Sequence, residues 1–155
     1  MRGSTFFTLL LVLHVFRAVL STNYLFKFDV TLHCSIPNRQ FGYNVQFYDK
    51  DEMFWNKDDP ITEPYKGVSP PGNAFFKTEG TLTGDEWLSK YFDVKMVLFH
   101  TCNSMGEPTR VDVRIDPLAA ISEYSEDECY QFGLVADITE MRGDVWNVAK
   151  SVKNC

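Results

Sequence analysis

Residues 26–51 read FKFDVTLHCSIPNRQFGYNVQFYDKD. Phe26, Phe28, Val30, Leu32, Cys34 and Ile36 alternate with Lys27, Asp29, Thr31, His33 and Ser35. A period of two sends one set to each face of a strand, whereas a helix would scatter both sets around its circumference. Pro37 ends the run, and Asn38 to Gly42 supply turn chemistry. Tyr43, Val45 and Phe47 then alternate with Asn44, Gln46 and Tyr48. The stretch therefore predicts two half-buried strands joined by a loop, with Cys34 facing the core.

Downstream, the same pattern recurs. Tyr65 to Val68 predicts a short strand, Ser69 to Asn73 a turn, and Ala74 to Thr78 a strand closed by Gly80. Thr83 to Lys90 predicts a helical turn, with Thr83 as its N-cap and Glu86 three residues on. Tyr91 to Cys102 is the longest strand candidate. Phe92, Val94, Met96, Leu98, His100 and Cys102 share one face, and Val97 and Phe99 make the other apolar, as a central strand requires. Val111 to Ile115 and Tyr130 to Ile138 alternate again. Asp144 is placed to cap a short helix carrying Val145, Val148, Ala149 and Val152 at helical spacing. About seven strands separated by turn signals predict an all-β sandwich.

Residues 1–21 have a different character. Met1 and Arg2 precede an apolar run from Phe6 to Phe16, and small residues near Ser21 offer a cleavage point. This is the layout of a secretory signal peptide, and the run is too short to span ~30 Å of hydrocarbon as a helix. The mature domain is expected at residues 22–155, with no transmembrane segment. Losing Arg2 and Arg17 takes the formal net charge from −6 to −8. So acidic a chain is unsuited to nucleic-acid backbones and is repelled by anionic membranes. Cys34, Cys102, Cys129 and Cys155 all remain, and an even count in a secreted chain predicts two disulfides, with three connectivities open.

Several segments in combination resemble the nematode transthyretin-like proteins. They are Thr31-Leu32-His33-Cys34, Val45-Gln46-Phe47-Tyr48-Asp49-Lys50-Asp51, Phe92-Asp93, Phe99-His100-Thr101-Cys102-Asn103, Tyr130-Gln131-Phe132-Gly133 and the terminal Cys155. The resemblance spans about residues 26–155 and implies a secreted transthyretin-like (Ig-like) β-sandwich. It departs from the family at Val30 and Ala74, where glycines are usual, and Cys129 has no clear counterpart. The Tyr-Arg-Gly-Ser tail of the family's hydroxyisourate-hydrolysing relatives is replaced by Ser151-Val152-Lys153-Asn154-Cys155.

Catalytic chemistry is not signalled. There is no Gly-x-Ser-x-Gly elbow and no phosphate loop. His33 falls on the polar parity and is expected at the surface. His100 falls on the inward parity and is expected to be a hydrogen-bonded core histidine. Asp49 and Asp51 match the first positions of a calcium loop, but Met53 and Phe54 break it, leaving only an irregular acidic set with Asp58 and Asp59. No metal or cofactor is expected. Met53, Phe54 and Trp55, three large apolar residues in an acidic loop, are the candidate partner-binding surface. The expectation is a secreted, non-catalytic module recognising a cell-surface protein or lipid. The alternative is a carrier of small hydrophobic ligands in a sandwich cavity or oligomer channel.

Overall fold

A computed structural model describes residues 22–50, 57–84, 91–116, 118–120, 128–148, 150–153 and 155. Residues 1–21, expected to be a leader, and Met53, Phe54 and Trp55 lie outside the described residues. The strands are β1 (Thr22–Cys34), β2 (Phe41–Asp49), β3 (Asp59–Pro60), β4 (Tyr65–Ser69), β5 (Gly72–Gly84), β6 (Tyr91–Phe92), β7 (Val94–His100), β8 (Thr109–Asp116), β9 (Ala119–Ala120), β10 (Glu128–Asp137), β11 (Gly143–Val148) and β12 (Lys150–Lys153). One sheet has the order β12-β10-β1-β5, and the other β11-β8-β7-β2-β3 with β4 also on β2. β6 and β9 make a separate two-stranded ribbon. The protein is an all-β, two-sheet sandwich.

The alternation of β1 is realised without exception. Phe26, Phe28, Val30, Leu32 and Cys34 are buried, and their polar neighbours face outward. Across the sandwich, Phe28 stacks on Phe47 of β2 with centroids 3.7 Å apart. Phe92 sets its ring edge-on against Phe26 and Tyr24, at 5.3 and 4.8 Å. Each such ring contributes ~1.5–3 kcal/mol by leaving water. β7 lies between β2 and β8 and is central as expected. Its outer face is mixed: Val97 is buried, whereas Phe99 is exposed beneath the guanidinium of Arg110.

Four local expectations are corrected. The helix expected from Asp144 is two strands. Gly143, at φ +72°, starts β11, which pairs parallel with β8 and offers its edge a partner. The valines that suggested a helical period are β-branched and suit a strand equally well. The chain then changes sheets between Val148 and Lys150, and β12 pairs antiparallel with β10. Thr83 is a residue of β5, not a helix cap, and residues 85–90 lie outside the description. β5 does not close at Gly80 but runs through it to Gly84. The long strand expected from Tyr91 is broken at Asp93, whose carbonyl accepts the Lys50 amide at 2.9 Å.

Candidate binding face

The His-x-Cys-Asn segment at the end of β7 proves to be a fastening. Cys102 bonds Cys34, tying the end of β1 to the opposite sheet. His100 is 1% exposed. Its Nε2–H donates to the Met141 carbonyl at 2.9 Å, and its Nδ1 accepts the Cys102 amide at 3.1 Å. Asn103 Nδ2 donates to the Glu107 carbonyl at 2.6 Å, and its Oδ1 accepts the Glu107 amide, closing the turn into β8. This bears out the reading of His100 as a core histidine.

Burial holds the His100 imidazole below its ordinary pKa, outweighing the Met141 carbonyl and Glu140, which favour the charged form. The unfolded chain therefore binds a proton first as pH falls. The contribution of this group to stability is full above about pH 6.5, its unfolded value, and is lost as pH falls through its lowered folded value. His100→Gln should flatten this part of a thermal-midpoint profile; an unchanged slope would assign it to another group. The carboxyls of Asp29 and Asp137 lie below the usual carboxylate range, so their contribution is lost only at lower pH, as they protonate.

The other pair, Cys129–Cys155, pins the terminus beside β10. Of the acidic set, Asp58 is spent on an ion pair with Lys95, Asp49 is buried in register with Asp59, and Asp51 lies outside the described residues. Among the described residues no group of three His, Cys, Asp or Glu side chains could hold a metal ion.

A different set of residues comes together on the outer face of the first sheet. The register of β5, β1 and β10 lays them in rows. One row is Asn73, His33 and Asp137. The next is Phe75, Thr31 and Val135. The third is Lys77, Asp29 and Gly133. Phe75 and Val135 are each 71% exposed. They flank Thr31 on the surface, bounded by charged and polar rows on both sides.

The polar borders are fixed by hydrogen bonds. Asp29 receives Lys77 Nζ at 2.9 Å and Gln131 Nε2 at 2.6 Å, and these bonds, Lys77 first, lower its pKa against a small opposing effect of burial. On the other border, His33 Nδ1 lies 2.7 Å from Asn73 Oδ1 and Nε2 lies 3.0 Å from Ser35 Oγ. With Asn73 accepting, the Ser35 hydroxyl donates to Nε2. That is the order of a nucleophile, base and orienter, but the Ser35 amide is given to Thr139 Oγ1 at 2.9 Å, not to an oxyanion site. Thr139 in turn donates its amide to Asp137 at 3.0 Å, and a hydrogen bond from the Thr139 side chain is the main cause of that carboxyl's low pKa.

Between the rows lies an open groove of about 470 Å³ lined by Asp29, Val30, Thr31, Phe75, Phe76 and Lys77. Sequence reading placed His33 on this face but passed over Phe75 and Val135. Their signal was present: each is a large apolar residue on the outward parity of its strand, between inward Ala74 and Phe76, or Leu134 and Ala136.

No family model matches this chain, and no curated protein matches it. A solved structure with a detectable likeness is an alternative pilotin from the type II secretion system of Vibrio cholerae, 10% identical over 84% of this chain and 98% of that one. Its TM-score of 0.32 is too low to carry an argument.

Proposed function

We propose that this chain is a secreted, non-catalytic binding module of the transthyretin-like family that recognises a cell-surface protein through the outer face of its first sheet. The observation that carries this reading is the exposed Phe75–Thr31–Val135 row above a groove whose polar borders are already fixed by hydrogen bonds. A preorganised face loses little side-chain entropy on binding, and a compact apolar centre with a polar rim is how protein interfaces are built.

Two disulfides suit an oxidising, extracellular setting. The family reading is supported by the positions of the residues that suggested it, since Cys34, His100, Cys102 and Asn103 act together in one fastening. Of the two partner classes, protein is favoured over lipid by the chain's net negative charge, which opposes adsorption to anionic membranes. The carrier alternative needs a sandwich cavity or an oligomer channel; between the sheets, Phe26, Phe28, Phe47 and Phe132 sit at 0–1% exposure.

The test compares the purified mature protein with its Val135→Glu and Phe75→Glu variants on intact cells, on protease-shaved cells and on phosphatidylserine vesicles. Saturable cell binding that is lost on shaving and reduced at least tenfold in both variants, with unchanged thermal midpoints, is the expected result. Binding to vesicles, or variants that bind as well as the parent, would overturn it. Native mass spectrometry revealing a co-purified apolar molecule would favour the carrier.

A further inference from the structure

β5 is the edge strand of the first sheet and one of its two longest, at 13 residues. Among the described residues its whole length pairs with β1 on one side, and no strand pairs with it on the other. Its outward side chains from Asn73 to Thr83 are all exposed. Unpaired edges of this length are templates for another strand, and folds commonly blunt them with bulges or proline. None of residues 72–84 is a proline.

We propose that this edge pairs antiparallel with β5 of a second copy of this chain, about a two-fold axis at Thr78. The charges select that register. Centred on Thr78, Lys77 of each copy faces Glu79 of the other. A shift of the axis by one residue would set Lys77 against Lys77 or Glu79 against Glu79, which is repulsive.

The intramolecular register carries the match further. Lys27 lies beside Glu79 and Asp29 beside Lys77 on the same outer face. Across the junction the row then reads Lys27, Glu79, Lys77, Asp29, alternating in sign through four strands. Phe75, 71% exposed, would lie against Thr81 of the other copy, whose own neighbour is Leu25. The four-stranded sheet becomes part of a continuous eight-stranded one, with its edge hydrogen-bonding groups paired and Phe75 partly covered. This inference does not rest on the binding reading, although the seam adjoins that face at Phe75 and Lys77, and sedimentation reads it independently of cell binding.

Charge reversal tests it directly. Lys77→Glu leaves two acidic residues on the edge, and Glu79→Lys leaves two basic ones. The parent protein should sediment as a concentration-dependent dimer that weakens with salt, because the charges are exposed. Each variant alone should dissociate at least about tenfold more readily, since two cross-strand pairs turn repulsive. Mixed in equal amounts, the two variants should form a heterodimer, because every facing pair is again of opposite sign. Recovery on mixing also shows that both variants fold. A parent that stays monomeric at every concentration overturns the proposal. So does a dimer that neither variant weakens, or variants that stay apart on mixing.

Discussion

Replacing Gly80 by alanine should destabilise this domain by about 3 kcal/mol or more, the upper range for an overpacked core. A Cβ at this position would stand 1.7 Å from the Ile61 carbonyl oxygen, 2.6 Å from its carbon and 3.1 Å from Thr62 Cα. All three are backbone atoms, so no rotamer change relieves the clash. Nor can the segment retreat easily. The Ile61 amide donates to the Phe47 carbonyl at 2.9 Å, Thr62 Oγ1 accepts the Phe47 amide at 3.1 Å, and Gln46 Nε2 holds the Thr62 carbonyl at 2.9 Å. Residues 61 and 62 are thus bound to β2 in one sheet while pressing on β5 in the other, with Ile61 buried between. Gly42→Ala is the control, because its nearest neighbour outside the adjoining residues would be 3.9 Å away. It should stay within ~0.5 kcal/mol of the parent. Denaturant midpoints measure both. Equal stabilities for the two variants would show that the close approach at Gly80 does not constrain the sandwich.

Removing the Cys34–Cys102 disulfide by paired alanine substitution should have the largest effect of any covalent change. The bond closes a span of 68 residues and joins the two sheets at one end. Loop-closure entropy for that length corresponds to about 4 kcal/mol. Both half-cystines are 1% exposed, so their loss also leaves unfilled space. Stabilities of this kind of domain are ~5–15 kcal/mol, so most of the margin is at risk. The Cys129–Cys155 pair closes only 26 residues, worth about 3.5 kcal/mol by the same entropy, and its effect should be local. Without it, the amides of β12 should exchange with deuterium much faster while β1 and β7 remain protected. If both variants lost equal stability and β12 stayed protected, the distinction between a sheet-to-sheet tie and a tail anchor would fail.

The binding face was legible only in fragments. Alternation assigns each residue a side, so Thr31, His33, Phe75 and Val135 could all be placed outward from sequence. It does not say which strands are neighbours. β1 and β10 begin more than a hundred residues apart, and their parallel register alone sets Val135 beside Thr31. The antiparallel register with β5 adds Phe75 to the same row. Asp29, Lys77 and Gln131 illustrate the same limit. Nothing in their local sequence couples them, yet one carboxylate takes both donors. The exposed aromatic sought in the acidic loop at Met53, Phe54 and Trp55 is matched on the sheet by Phe75, which local sequence presented only as one half of a Phe-Phe pair.

By itself the sequence determined the class of this protein. Period-two alternation from Phe26 to Ile36, and again through β7, β8 and β10, admits only strands with one face in a core. An inward Cys34 and an inward His100 follow from the same parity. Tertiary structure decided the rest. The pairing of four cysteines, the close approach that requires Gly80 and the conversion of the C-terminal segment from an expected helix to β11 and β12 all depend on partners remote in the chain. The physical reason is that parity is a local property of the backbone, whereas a free sheet edge, a facing carbonyl or a waiting thiol exists only once the sheets have assembled. At Val145 and Val148 the local signal was ambiguous, and the open edge of β8 resolved it.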